Sequence, residues 1–311
     1  VVGYTKNDLN TWSDLVARLC VAVGVTDEDV VQISFGYGLF TGALGLHYGL
    51  EKIGDAVIPV SSGNTEKQVM ILKDFGTTAL VSTPSYALYM SEVAREKGVL
   101  DDLKLRLGLF GSEGCTPEMR EQVEKSFHVF ATDNYGMSEL MGPGVSGECI
   151  YRDGMHISEV HFLPELIDSA TGKVLTEGET GELVITTLTK EGFPLIRYRT
   201  KDITRLNYEP CKCGRTFVRM DKIKGRSDDM MKIRGVNVFP TQIESVLVTL
   251  PHIGPHYQLI LRREGYMDTL EVKVELTDSS LLDEYKKLSE IQKDVKAHLK
   301  TVLGIETKVT L

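Results

Sequence analysis

Residues 133–139, Asp-Asn-Tyr-Gly-Met-Ser-Glu, combine side chains that suit a nucleotide and its metal ion. Tyr135 offers a flat aromatic face for a base, and Ser138 offers a hydroxyl for a phosphate. Glu139 offers a carboxylate for a magnesium ion. The segment follows a predicted strand, at the edge where α/β sheets bind ligands. Taken alone, however, the pattern is more typical of a plain turn with a capping serine and glutamate.

A second candidate segment is 198–202, Tyr-Arg-Thr-Lys-Asp, which ends on an acidic residue just inside a predicted β segment. A carboxylate at such a position can accept both hydroxyls of a ribose, as in dinucleotide sites. The alternative is a surface ion pair between Arg199 and Asp202, which would contribute little.

A third segment, 225–235, is bounded by glycines, is highly charged, and lies where the composition of the chain changes. These features are typical of a hinge between two rigid bodies. An ordinary polar linker would have the same composition.

Cys211 and Cys213 form a Cys-x-Cys pair in a predicted turn, which resembles half of a metal site. Tetrahedral zinc needs two further ligands, and Cys149 and His156 lie together in the preceding β-rich segment. If that segment folds back on itself, the four residues could form a structural Cys₃His site. The alternative is a set of free surface thiols.

Phe35, Tyr37 and Phe40 cluster after the first predicted strand, and the family resemblance given below implies that they line a pocket for an aromatic acid. Side chains of this kind are as often found in a hydrophobic core. They report the size of a ligand poorly, so benzoate-like, indoleacetate-like and medium-chain acids stay open.

The elements that position these residues alternate between strand and helix over residues 30–132, which predicts a mostly parallel sheet with helices on both faces. A β-rich subdomain and a smaller C-terminal α+β domain follow. We therefore predict an α/β fold with a partial N-terminal domain over 1–226 (sheet 1–144, β-rich 145–226) and a mobile, truncated C-terminal domain over 227–311. Strands are predicted at 30–34, 56–60, 79–82, 105–110 and 128–132, and helices at 65–75, 84–97 and 116–127.

The composition narrows the functional class. The 311 residues carry a net charge of −9, which argues against broad electrostatic binding of nucleic acid. Apolar runs are short and no secretory signal is visible, so no membrane segment is expected. Five scattered cysteines favour a reducing compartment, and we expect a cytoplasmic protein.

Taken together and in order, the three segments 133–139, 198–202 and 225–235 resemble those of the adenylate-forming superfamily of acyl-CoA ligases. Longer matches resemble the phenylacetate-CoA ligase family in particular, over essentially the whole chain. They are FGYGLFTG from residue 35, VSTPSY from 81, YGMSELMGPGV from 135, LIRYRT from 195 and RGVNVFPTQIE from 234.

The resemblance implies an AMP-forming acid-thiol ligase that uses ATP, magnesium and coenzyme A on a small aromatic carboxylic acid. Tyr135 would stack on adenine, with Asp133 at its amino group. Ser138 would contact the α-phosphate, Glu139 would help to bind magnesium, and Asp202 would hold the ribose hydroxyls.

Further roles follow from the same resemblance. Arg226 would contact ribose or phosphate and act with Ser138 and Glu139 as a catalytic residue. Asp228 would be the hinge, and Arg234 and Gly235 would approach the pantetheine channel. The remaining cofactor-binding positions implied are Ser112, Glu113, Gly136 and Met137. A homodimer is plausible from the family alone.

Two family elements are expected but missing, a phosphate loop upstream of Val1 and a catalytic lysine downstream of Leu311. We therefore expect a fragment of a longer ligase that adenylates poorly or not at all. The alternatives are an adenylation domain that serves a carrier protein and a non-catalytic nucleotide-binding module.

Overall fold

The computed structural model describes residues 1–38, 41–228, 230–278, 281 and 284–311. These residues form two compact units, Val1–Ser227 and Asp228–Leu311. None of the helices among them is both long enough and apolar enough to span a bilayer.

The first unit holds five α-helices and twelve strands among its described residues. The helices are α1 (Lys6–Ala22), α2 (Thr41–Ile53), α3 (Thr65–Asp74), α4 (Pro84–Glu96) and α5 (Pro117–Phe127). The strands are β1 (Val30–Ile33), β2 (Ala56–Pro59), β3 (Ala79–Ser82), β4 (Leu107–Phe110), β5 (Phe130–Met137), β6 (Gly142–Gly147), β7 (Met155–Ile157), β8 (Phe162–Ile167), β9 (Thr180–Thr187), β10 (Tyr198–Asn207), β11 (Arg219–Met220) and β12 (Gly225–Arg226).

The strands join in the order β2-β1-β3-β4-β5-β6-β7-β11-β10-β9-β8, with β12 beside β10. The five strands from β2 to β5 are parallel, and every later pairing is antiparallel. The predicted α/β fold, with its β-rich extension, is therefore confirmed. The chain order reverses between β1 and β3, which is where parallel sheets open a ligand crevice.

Local sequence explains where the helices begin. Thr83 and Thr116 each cap a helix by accepting a backbone N–H, and proline occupies the first turn after each of them. The predicted helices α3, α4 and α5 are confirmed, and each ends one residue earlier than predicted or at the predicted residue.

Helix α1 was not predicted, although its first residues form a capping box between Thr5 and Asp8. It packs on α2 through a close contact, because a Cβ on Gly45 would lie 2.3 Å from the Trp12 ring. The Trp12 indole N–H donates to the Pro143 carbonyl at 2.6 Å, which ties α1 to β6.

The segment 133–139 was predicted as a loop, and this is wrong for residues 133–137, which continue β5. Asp133 extends the parallel pairing with β4, and Tyr135 then pairs with Ser146 of antiparallel β6. Gly136 allows the two strands to approach, because a Cβ there would lie 1.7 Å from the Gly142 carbonyl oxygen. The strand therefore carries Tyr135 on rigid backbone.

The second unit contains two helices and five strands among its described residues. They are β13 (Met231–Ile233), β14 (Val236–Val238), α6 (Pro240–Leu247), β15 (Ile253–Glu264), β16 (Met267–Leu276), α7 (Tyr285–Leu303) and β17 (Lys308–Thr310). The sheet β15-β16-β17 and both helices share one apolar core, which includes Val272, Val295 and Leu299. Along β16 the apolar side chains alternate with charged ones, which puts Leu270, Val272 and Val274 into this core.

Candidate functional site

Three predicted nucleotide-binding side chains meet at the antiparallel part of the sheet. The Tyr135 hydroxyl donates to Asp202 Oδ2 at 2.7 Å, and Arg226 Nη1 donates to Asp202 Oδ1 at 2.8 Å. Each oxygen of the Asp202 carboxylate therefore has a partner. We call these three residues the Tyr135–Asp202–Arg226 constellation.

Strand register creates the constellation. Asp202 of β10 lies directly opposite Arg226 of β12 in an antiparallel pair. The Asp202 side chain is 12% exposed and that of Arg226 is 17% exposed. Burial and the neighbouring Asp202 charge hold the pKa of Tyr135 well above its usual value, so its hydroxyl stays protonated as a donor.

Ser138 and Glu139 follow β5 and are held through their backbones. The Ser138 carbonyl accepts a hydrogen bond from the Tyr4 hydroxyl at 2.6 Å, and the Glu139 carbonyl accepts one from Lys190 Nζ at 2.7 Å. The Ser138 hydroxyl lies 2.9 Å from that of Thr41 at the start of α2. Burial lowers the pKa of Lys190, and the charges of Asp8 and Glu139 oppose that shift.

Ser112 and Glu113 lie after β4, as predicted. Ser112 has a left-handed backbone, with φ of 70°. Glu113 Oε1 accepts the backbone N–H of Ser85 at 2.8 Å, which connects the loop after β4 to the first turn of α4. Gly111 packs against Asn134, whose side-chain amide donates to the Phe110 carbonyl at 2.6 Å.

Asp133 is placed differently from the other nucleotide candidates, because it belongs to a buried charged network. Its backbone N–H donates to Glu148 Oε2 at 2.9 Å, and Arg120 Nη2 donates to both Glu148 oxygens. Burial, and next the Glu148 charge, raise the pKa of Asp133 to about 7, with Lys222 and Arg120 opposing the shift. Its contact with adenine stays a prediction.

The aromatic candidates lie in different environments. Phe35 is 6% exposed and belongs to the main hydrophobic core. Tyr37 is half-buried, and its hydroxyl lies 3.1 Å from His47 Nδ1. Phe40 lies outside the described residues. The pocket assignment of all three stays a prediction.

In the second unit, Arg234 and Gly235 form the turn between β13 and β14, with φ of 51° and 78°. Arg234 Nε donates to the Asp268 carbonyl at 3.1 Å. Asp228 is the first residue of this unit and accepts the Met230 N–H at 3.3 Å.

A second cluster consists of Cys149, His156, Cys211 and Cys213, whose ligand atoms all lie within 4.8 Å of one another. Cys149 Sγ lies 3.8 Å from Cys211 Sγ, and Cys213 Sγ lies 3.5 Å from His156 Nε2. His156 is on β7, between β6 and β11, so the sheet order brings the four residues together. We call them the Cys₃His cluster.

The chemistry of the Cys₃His cluster suits a metal ion. Burial, with the charges of Arg215 and Arg219, lowers the pKa of His156 to about 4, so the imidazole is neutral. Burial raises the pKa of the Cys213 thiol, but hydrogen bonds from the Arg215 backbone and from neighbouring side chains prevail and lower it to about 7. Neutral imidazole and thiolate are the ligand forms that bind zinc.

Sequence reasoning missed Tyr4, Thr41 and Lys190, which contact Ser138 and Glu139. The capping box at Thr5 and Asp8 could have revealed α1 and therefore Tyr4 beside it. No local pattern identifies Lys190, because its burial depends on residues far away in the chain.

Comparison with known proteins gives strong matches along the whole chain. Residues 235–311 match the AMP-binding enzyme C-terminal domain. The chain is 47% identical to the phenylacetate-coenzyme A ligase of Thermus thermophilus, covering all of this chain and 73% of that protein. It is 49% identical to the enzyme of the same name from Pseudomonas putida, covering all of this chain and 71% of that protein.

Among solved structures, 2-hydroxyisobutyryl-CoA ligase in complex with 2-HIB-AMP and CoA matches with a TM-score of 0.95 at 27% identity. That match covers all of this chain and 67% of the other chain.

Proposed function

The chain belongs to the phenylacetate-CoA ligase family, AMP-forming acid-thiol ligases that act through an acyl-adenylate, and on that premise we propose roles for its residues. The proposed substrates are ATP, coenzyme A and an arylacetic acid of the phenylacetate type. The observation that carries this proposal is the Tyr135–Asp202–Arg226 constellation, whose members meet within hydrogen-bond distance.

Nucleotide binding would use the constellation as a preformed cradle. The Tyr135 ring would stack on adenine, and the Asp202 carboxylate would accept the ribose hydroxyls. Arg226 already orients that carboxylate and carries the charge that a phosphate requires. Ser112, Glu113, Gly136 and Met137 would line the adenine side.

In the first step, a carboxylate oxygen of the acid attacks the α-phosphorus of ATP. A phosphorus–oxygen bond forms as the bond to pyrophosphate breaks, giving the acyl-adenylate. Such a step needs positioning and charge neutralisation rather than a protein nucleophile. Ser138 would bind an α-phosphate oxygen, and Arg226 would neutralise the charge that develops nearby.

Magnesium, when bound, would supply further neutralisation of the phosphate charge. Glu139 would hold it through its carboxylate, an oxygen ligand of the kind that magnesium prefers.

In the second step, the thiol of coenzyme A attacks the acyl carbonyl carbon. The thioester forms and AMP leaves with its phosphate oxygen, while the thiol proton passes to solvent. Arg234 and Gly235 would approach the pantetheine chain, and Asp228 would be the hinge about which the second unit moves.

Binding of a stable adenylate mimic tests this proposal without requiring turnover. Phenylacetyl-sulfamoyl adenosine should bind the chain more tightly than adenosine does. The benzoyl, indoleacetyl and octanoyl analogues should bind less tightly than the phenylacetyl compound. Equal affinity for all acyl groups would overturn the arylacetate preference. Failure of both adenosine and the analogues to bind would overturn the nucleotide site.

We propose in addition that the Cys₃His cluster holds a structural zinc ion. Four protein ligands would complete tetrahedral coordination and leave no open position for catalysis. The donor types and their mutual distances support this assignment.

Metal content tests the zinc site. Protein purified without chelator should carry about one zinc per chain, and Cys213→Ser should lose it. Cys115→Ser is the matched control, because Cys115 is a buried cysteine outside the cluster. Less than about a tenth of an equivalent of zinc in the parent protein would rule the site out.

A homodimer, the absence of nucleic-acid and membrane partners, and a cytoplasmic location stay predictions from the sequence. Gel filtration with light scattering would test the first of these.

A further inference from the structure

Lys190 is a buried cation that none of the roles above uses. The residue is 4% exposed, although it follows β9 in a turn that reads as polar and solvent-facing. Its Nζ donates to the Glu139 carbonyl at 2.7 Å and lies 4.5 Å from the centroid of the Tyr4 ring. A buried ammonium is costly unless it is well partnered, so its place beside Glu139 calls for a reason.

Asp8 holds the other side of this turn. Its carboxylate accepts the backbone N–H groups of Glu191 and Gly192, both at 2.8 Å, and it also accepts that of Thr5 at 2.9 Å. The residue is 1% exposed. Because three N–H groups converge on one carboxylate, the start of α1 and the 190–192 turn form one rigid support.

The packing around this support leaves little freedom. A Cβ on Gly192 would lie 3.0 Å from Asp8 Oδ2 and 3.1 Å from the Gly3 carbonyl oxygen. Tyr4 stacks on Trp12 with ring centroids 5.5 Å apart, and its hydroxyl donates to the Ser138 carbonyl. The consecutive carbonyls of Ser138 and Glu139 are therefore both held by this support.

We propose that Lys190 is a positioning residue for the phosphate and magnesium end of the nucleotide site, a role that rests on the proposed function. Its ammonium fixes the Glu139 backbone, while Tyr4 fixes that of Ser138. The Ser138 hydroxyl and the Glu139 carboxylate are thereby held in the orientation that MgATP requires. Adenosine, which uses the Tyr135–Asp202–Arg226 constellation, does not depend on this support.

The contrast between two ligands tests the role. In Lys190→Met, we expect MgATP to bind about tenfold more weakly, while adenosine affinity stays within about twofold. Lys190→Arg should recover much of the lost MgATP affinity, because it restores a cationic donor. Lys6→Met is the matched control, since Lys6 is an exposed lysine at the start of α1.

A merely structural role would weaken both ligands together, and this result would overturn the proposal. Unchanged binding of both ligands would also overturn it.

Hydrogen exchange separates this proposal from the proposed function. Lys190→Met should increase amide exchange in residues 138–140, and Lys6→Met should leave it unchanged. If the parent chain binds neither adenosine nor MgATP, the proposed nucleotide site is wrong. The hydrogen-exchange result then decides by itself whether Lys190 anchors residues 138–140. Unchanged exchange in Lys190→Met would then overturn the anchoring role.

Discussion

The two ends of the parallel strands carry polar residues of very different kinds. At the carboxyl ends lie the loop after β4, which holds Glu113, and the loop after β5, which holds Ser138 and Glu139. At the amino ends, four polar residues each stand immediately before a strand. They are Asp29 before β1, Asp55 before β2, Thr78 before β3 and Arg106 before β4.

The amino-end residues mainly bind one another. Asp29 is 3% exposed and accepts hydrogen bonds from Thr78 Oγ1 at 2.6 Å and Arg106 Nε at 3.0 Å. These bonds tie the amino ends of β1, β3 and β4 together. The carboxyl-end residues are held differently: Glu139 is bonded through its backbone carbonyl, and Glu113 is bonded to the first turn of α4. We infer from this difference that the amino end serves stability, whereas the proposed ligand site lies at the carboxyl end.

The largest effect is expected from removing Arg106, the cation at the amino end of the strands. Arg106→Met leaves the buried Asp29 carboxylate without its charged partner, and we expect the first unit to lose about 2–3 kcal/mol of unfolding free energy. Urea unfolding followed by the fluorescence of Trp12, the single tryptophan of the chain, measures this loss.

Arg205→Met is the control, because Arg205 and its partner Asp221 are 47% and 31% exposed. It should cost less than about 1 kcal/mol. Adenosine affinity should be unchanged in Arg106→Met under native conditions, and a marked loss would contradict the division of roles between the two ends.

A substitution at Asp202 tests the proposed ligand-binding role directly. Asp202→Asn removes the charge that accepts the ribose hydroxyls and pairs with Arg226, so adenosine should bind about 10–100-fold more weakly. Isothermal titration measures the change, and Asp221→Asn supplies a more exposed aspartate as its control. Equal adenosine affinity in the two variants would remove Asp202 from the nucleotide site.

The sequence predicted the parts of this molecule that depend on local pattern. Thr83, Thr116 and the prolines after them mark helix starts through neighbouring residues alone, and α4 and α5 begin where they were expected. The Tyr135–Asp202–Arg226 constellation came from a family resemblance, and the structure brings its members together through pairing of β10 with β12.

The remaining features depend on contacts that are distant in sequence. The strand β5 runs on to Met137 because it pairs with β6, a glycine-rich segment of low strand propensity. Lys190 is buried because its turn packs against α1, which begins about 180 residues earlier, as the bond from Glu191 N–H to Asp8 shows. Neither the pairing of β5 with β6 nor the packing of the Lys190 turn on α1 can be recognised from the local sequence.

The smallest effect should come from Asp55, the amino-end residue without a partner. Both of its carboxylate oxygens are buried, and neither accepts a hydrogen bond from any residue that the structure describes. Burial, and next the Asp29 charge, raise the pKa of Asp55 to about 7. Asp55→Asn removes the buried charge, so the first unit should gain roughly 1–2 kcal/mol of unfolding free energy at about pH 8.

The sign of this effect depends on pH in a defined way. Because the folded pKa of Asp55 lies above its unfolded value of about 3.9, the parent protein loses stability as pH rises between those two values. The advantage of Asp55→Asn should therefore be small near about pH 4, grow towards about pH 7, and stay level above it. Trp12 fluorescence across this range measures it, with Asp221→Asn as the more exposed control. If Asp55→Asn raised the unfolding free energy equally at every pH, Asp55 would not be a buried, unpaired charge. All four amino-end residues would then have partners that offset their burial.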